Sequence, residues 1–225
     1  MTRTIAIGYE TGTVTGVLAG DPGELGVLLA HGAGAGQDHP WIETIRNGLA
    51  AAGRPVMSFN YRYAEAGRKS PDRMPTLLAV HRAAADVMAE MCDRVVLAGK
   101  SMGGRAGSHL AGDEAWPAVG LIYYGYPLVA MGKGEPRDTT HLTRIDVPQL
   151  FFAGTRDRLG PPPLIEQVAA TVPYGQVIVI DDGDHSFKVP KRTGLTQHEV
   201  LAGIVAETSS WLEALGHLAA SGGGT

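Results

Sequence analysis

Apolar positions along the chain fall into two patterns. Thr4 to Tyr9 and Val14 to Leu18 are short apolar segments around Glu10-Thr11-Gly12-Thr13, the punctuation of an antiparallel hairpin. After Asp21-Pro22-Gly23 the chain carries continuous apolar runs at Gly26 to Ala30, Pro55 to Phe59, Arg94 to Ala98, Val119 to Tyr123, Gln149 to Ala153 and Val177 to Ile180. A strand covered on both faces needs such a run, so these segments predict a parallel sheet. Helical spacing separates most of them, at Trp41 to Ala51, Pro75 to Met91, Gly104 to Ala111, Pro163 to Ala170 and Thr196 to Leu218. In the last, Val200, Leu201, Ile204, Val205, Trp211, Leu212 and Leu215 recur at three- and four-residue intervals and predict one face packed on the sheet.

Strands alternating with helices make right-handed crossovers. The fold class expected is therefore α/β: a three-layer α/β/α sandwich around a mostly parallel, doubly wound sheet, with the N-terminal antiparallel hairpin at one edge. Residues 1–218 are expected to form a single domain and the Gly-rich residues 219–225 a flexible C-terminal tail. A hydrophobic fraction of 44% with 19% charged residues fits a globular chain rather than a disordered or membrane-spanning one. The net charge of -4 provides no general attraction for nucleic acid. Cys92 is the single cysteine, which excludes an intrachain disulfide and a multi-cysteine metal cluster and fits a reducing compartment. No apolar run reaches the length of a membrane span, and the segment before Glu10 is too short for a signal-peptide core, so a cytoplasmic location without a membrane partner is expected.

In a doubly wound sheet, functional residues lie on loops leaving the carboxyl ends of the strands. Gly99-Lys100-Ser101-Met102-Gly103 has the form G-x-S-x-G, directly after the run Arg94 to Ala98 and at the start of a helical stretch, which is the strand-turn-helix setting of a nucleophile elbow. The ordinary alternative is a Gly-rich turn in which Ser101 caps the helix. A serine hydroxyl needs a base with a pKa near neutrality, oriented by a carboxylate. Asp157 follows the run Gln149 to Ala153, and His185 follows Val177 to Ile180, in the chain order Ser, acid, His that this fold uses. Asp146 and Asp184 are the fallback acids. Backbone donors for an oxyanion are expected from Met102 N–H and, in the loop His31-Gly32-Ala33-Gly34-Ala35-Gly36, from Ala33 N–H.

These residues resemble the α/β-hydrolase family over nearly the whole chain. More narrowly, His31-Gly32-Ala33, Gly99-Lys100-Ser101-Met102-Gly103-Gly104-Arg105, Gly154-Thr155-Arg156-Asp157 and Gly183-Asp184-His185-Ser186-Phe187 resemble the dienelactone-hydrolase-like branch. Within it, the chain is similar to small bacterial hydrolases that are themselves similar to an animal testis-expressed hydrolase-like protein. The resemblance implies the hydrolase fold and a triad of Ser101, Asp157 and His185, and no particular substrate. The true dienelactone hydrolases use a cysteine nucleophile where this chain has Ser101, so their substrate does not carry over.

Other motifs fail on single residues. A phosphate-binding loop ending at Gly99-Lys100-Ser101 needs glycine at Arg94, a dinucleotide loop from Gly34 needs glycine at His39, and a zincin helix from His198 needs histidine at Ala202. Neither cofactor nor metal is implied. The stretch Tyr124 to Val147 leaves room for at most a minimal cap, and His31, Gly32, Lys100, Tyr124, Tyr126 and Leu128 are candidates to line an open crevice, or to pack a loop against the sheet. Lys100, Arg62, Lys188, Lys191 and Arg192 read as solvated surface, or else as cations attracting a substrate carboxylate or phosphate. The expected function is a serine hydrolase acting on a small-molecule ester or thioester through an acyl-enzyme on Ser101. Amide or peptide hydrolysis, and a hydrolase-fold binding module without turnover, are the alternatives.

Overall fold

A computed structural model describes residues 2–130, 132 and 134–221, with side chains as far as 217. In chain order the elements are β1 (Thr2–Tyr9), β2 (Gly12–Ala19), β3 (Leu25–Ala30), α1 (Pro40–Ala51), β4 (Val56–Phe59), α2 (Arg62–Glu65), α3 (Met74–Ala89), β5 (Arg94–Lys100), α4 (Met102–Gly112), β6 (Gly120–Tyr124), β7 (Gln149–Gly154), α5 (Pro162–Ala169), β8 (Gly175–Ile180) and α6 (Gln197–Ser221). They build one 8-stranded sheet in the order β1-β2-β4-β3-β5-β6-β7-β8. The β1–β2 hairpin is antiparallel and joins β4 antiparallel, whereas every pairing from β4 onward is parallel.

The continuous apolar runs divide between two cores by their alternation. Leu28, Leu97 and Phe151 point to the layer of α3, α4 and α5, while Leu29, Ala98 and Phe152 point to α1 and α6. The expected face of α6 is realised: Leu201, Ile204, Trp211, Leu212 and Leu215 are buried on that side. Full burial of a side chain such as Ile204 or Leu212 contributes about 1.5–3 kcal/mol. The start of α6 is fixed by a capping box, in which Thr196 N–H donates to Glu199 Oε2 (2.7 Å) and Glu199 N–H returns to Thr196 Oγ1 (3.2 Å).

Three local expectations change. The run Val177 to Ile180 becomes β8, the edge strand beyond β7, and it is not buried on both faces; Val179 is 38% exposed. An apolar run reports β-propensity and does not say whether a further strand pairs with it. The short helix α2 falls in a segment with no expected element, because a single turn is too brief for a period. Finally, α6 continues through Ser221, so the first residues of the expected tail are helical, and residues 222–225 lie outside the described residues. Between β6 and β7 the described residues hold one 3₁₀ turn, Thr140–Arg144, and the isolated bridge Val129–Pro136, which amounts to a minimal cap. No helix among the described residues is long and apolar enough to cross a membrane.

Candidate active site

The turn between β5 and α4 has the strain expected of a nucleophile elbow. Ser101 sits at φ 51°, ψ −113°, a conformation that L-residues rarely adopt and that turns its side chain off the end of the sheet. The glycines of the motif permit the close approach this needs: a Cβ on Gly103 would lie 2.6 Å from Ala30 O, and one on Gly104 would lie 2.8 Å from Gly99 O. Helix α4 thus starts against the end of β3, which brings the loop after β3 alongside Ser101. A Cβ on Gly32 would be 3.7 Å from Ser101 Cβ.

Asp157 and His185 converge on this turn from the loops after β7 and β8. His185 Nε2 is 2.8 Å from Ser101 Oγ, and His185 Nδ1 is 2.7 Å from Asp157 Oδ2. The other carboxylate oxygen, Asp157 Oδ1, accepts from Leu159 N–H (2.8 Å) and Gly160 N–H (3.3 Å). The Asp157 side chain is fully buried while that of His185 is 26% exposed, so the histidine edge reaches solvent and the acid does not. Burial pushes the Asp157 carboxyl up, but the hydrogen bond and charge of His185, the Leu159 N–H and the charge of Lys100 outweigh it and hold the carboxyl below its ordinary range. An ionised acid, an imidazole and a hydroxyl in one hydrogen-bonded row can move the hydroxyl proton onto Nε2 as the oxygen attacks an electrophile. The fallback acids are elsewhere: Asp146 is exposed, and Asp184 Oδ1 accepts from Ser186 and Lys188 N–H groups in its own turn.

The loop after β3 is braced by residues that spacing did not single out. Tyr61 N–H donates to His31 Nε2 (3.1 Å), which leaves the ring proton on Nδ1, where it donates to Gly32 O (2.9 Å). The Tyr63 hydroxyl donates to the same carbonyl (3.1 Å). The Gly32 carbonyl is therefore held inward. Across a trans peptide the following N–H, that of Ala33, points the opposite way to this carbonyl. Met102 opens α4, and its N–H is one of the first-turn donors without an intrahelical acceptor.

Four residues expected to contact substrate are turned elsewhere. His31 is buried as the brace just described. Tyr124 is buried under α6 with its hydroxyl 3.2 Å from Thr208 Oγ1, and the Tyr126 hydroxyl lies between Ser108 Oγ (3.1 Å) and His141 Nε2 (3.2 Å). Leu128 is buried with them. A fifth, Lys100, expected either to line the crevice or to be solvated surface, is 8% exposed with its ammonium on the His185 main chain. Arg62, Lys188, Lys191 and Arg192 are exposed, and Arg192 pairs with Asp182 at 2.5 Å. Among the described residues no cluster of three His, Cys, Asp or Glu side chains is arranged to hold a metal ion.

Two buried histidines give the fold a predictable acid response. Burial holds His31 neutral down to about 4, against the hydrogen bond to Gly32, and burial together with nearby His31 holds His81 neutral down to about 3. Unfolded, both titrate near 6.5. Between these values the unfolded chain binds more protons, so stability is complete above about 6.5 and falls with falling pH by up to about 1.4 kcal/mol per unit for each histidine. Urea unfolding at pH 7 and pH 5.5 is expected to show the loss, and His81→Phe should lessen it. Equal stabilities at the two pH values would refute the neutral, buried assignment.

Known proteins share this fold. A model of the alpha/beta hydrolase domain family matches residues 23–213. A serine hydrolase without lid from Xanthomonas campestris is similar in structure with a TM-score of 0.71 at 17% identity, covering 92% of each chain. Dienelactone hydrolase from Anabaena variabilis is similar with a TM-score of 0.74 at 18% identity, covering 95% of this chain and 97% of that one. Est1E from Butyrivibrio proteoclasticus reaches 0.72 at 13% identity, covering 94% and 98%.

Proposed function

Because the chain belongs to the alpha/beta hydrolase domain family, we propose that it is a serine hydrolase cleaving a carboxylic ester or thioester of a small molecule through an acyl-enzyme on Ser101. The observation that carries this reading is the continuous row Ser101 Oγ, His185 Nε2, His185 Nδ1 and Asp157 Oδ2, each link at 2.7 or 2.8 Å. Ser101 Oγ attacks the carbonyl carbon and its proton passes to His185 Nε2. The Ala33 and Met102 N–H groups receive the oxyanion, assisted by the positive end of α4. Collapse of the tetrahedral intermediate expels the alcohol or thiol, protonated by the His185 imidazolium. Water then attacks the acyl group, gives its proton to His185, and the carboxylic acid leaves as Ser101 regains its hydrogen.

Asp157 keeps the Nδ1–H tautomer and balances the charge His185 gains. No step calls for a cofactor. The minimal cap among the described residues suits a small or exposed ester better than a buried acyl chain. A fluorophosphonate probe tests the reading directly. The folded protein is expected to gain one phosphonyl group per chain, mapped to Ser101 by peptide mass spectrometry. Folded protein that stays unlabelled would instead be a binding module on a hydrolase fold. Once labelling is established, matched ester, thioester and amide substrates separate the remaining leaving-group classes.

A further inference from the structure

The buried lysine beside the nucleophile is not accounted for by the chemistry above. Lys100 ends β5, and its ammonium donates to the main-chain carbonyl of His185 at 2.5 Å. It lies 5.6 Å from the Phe187 ring centroid and 5.9 Å from that of Trp41 on α1, in the range of cation–π attraction. A Cβ on Gly125, just past β6, would stand 3.3 Å from Lys100 Nζ and 3.2 Å from His185 O, so the lysine reaches the histidine through a slot that glycine keeps clear. Asp157, Asp184 and His185 are the titratable groups around the ammonium. A buried cation is costly to retain for packing alone, since methionine would fill the same slot without the desolvation penalty.

We propose that Lys100 is a positioning residue for the triad: its ammonium pins the His185 loop by the main-chain carbonyl and lays a positive charge beside the Asp157 carboxylate. The inference rests on the proposed role of His185 as base. Sequence position fits it as well, because strand alternation puts residue 100 on the face of α1 and α6, beside Trp41, while Ser101 lies in the turn beyond the strand end. Burial pulls the ammonium down to about 8, with the charges of Asp157 and Asp184 opposing the fall. The cation is thus present at neutral pH and is lost under alkaline conditions, releasing the loop.

The test compares wild type with Lys100→Met and Lys100→Gln, following amide hydrogen exchange in the His185 loop by NMR and the ester reaction by kcat and KM. Removing the ammonium is expected to speed amide exchange at Ser186 and Phe187, whose N–H groups are held within that loop, by about tenfold. Loosening the loop is expected to lower kcat by about 100-fold with KM changed by less than about twofold. A folded variant with both the loop exchange and kcat unchanged overturns the proposal. Should neither variant fold, wild type decides by ¹⁵N NMR: a Lys100 ammonium protected from solvent exchange and hydrogen-bonded to the His185 carbonyl supports it, and a freely exchanging ammonium overturns it. The NMR readouts need no turnover, so they stand even if Ser101 proves not to be a nucleophile.

Discussion

Ser101→Ala is expected to lower kcat toward an activated ester by on the order of 10⁶-fold while leaving the urea midpoint within measurement error. The size follows from what the side chain does in the proposed reaction: without Oγ there is no acyl-enzyme, and the remaining rate comes from water held near the oxyanion donors. The expected stability follows from what Oγ touches. Its hydrogen bond is to His185 Nε2, on a side chain 26% exposed, where water can replace it. Alanine keeps the Cβ at φ 51°, so backbone strain is unchanged. Adding His185→Ala should cost little more, because nucleophile and base act as one unit. Retention of more than a few per cent of wild-type kcat by purified, folded Ser101→Ala would remove Ser101 from the mechanism, and additive losses in the double variant would mean that His185 serves some other group.

Much of the fold was legible because the central strands carry the simplest signal a chain can have. β3, β5, β6 and β7 are covered by helices on both faces, so each reads as an unbroken apolar run. β8 carried the same signal and is nevertheless an edge, since pairing partners are a property of topology and not of the run itself. The single turn of α2 left no period to detect, and the extension of α6 to Ser221 crosses residues whose composition suggested a linker.

At the site, Ser101, Asp157 and His185 were legible for a topological reason. The carboxyl ends of β5, β7 and β8 lie at one end of the sheet, so three loops far apart in sequence meet there. Whether a loop side chain faces the crevice or the interior was much less legible. Tyr124 and Tyr126 lie on the correct loop and point inward, and the brace formed by Tyr61 and Tyr63 on His31 depends on a tertiary contact that no spacing encodes. For Lys100 a signal did exist. Val96 and Ala98 face α1 and α6, and strand alternation places residue 100 on that same buried side, next to Trp41.

Asp157→Asn should lower kcat by about 10⁴-fold with little change in KM or stability, and the cause is the direction of one amide. Asp157 Oδ1 is held by two backbone donors, Leu159 N–H at 2.8 Å and Gly160 N–H at 3.3 Å. In the variant, the amide oxygen must take that position, because an NH₂ group there would face two N–H donors and leave them unpaired, at about 1–3 kcal/mol for each buried group. The NH₂ is then forced toward His185 Nδ1, where the wild type has the carboxylate oxygen at 2.7 Å. Since the side chain is fully buried, no water can correct the mismatch. Nδ1 becomes an acceptor, the ring proton moves to Nε2, and Nε2 donates to Ser101 Oγ instead of taking its proton. Phosphonylation by the fluorophosphonate should slow in parallel, and ¹⁵N NMR should show the ring proton exchanged from Nδ1 to Nε2. A variant that keeps the Nδ1–H tautomer, or stays within tenfold of the wild-type rate, would show that Asp157 does not orient the base.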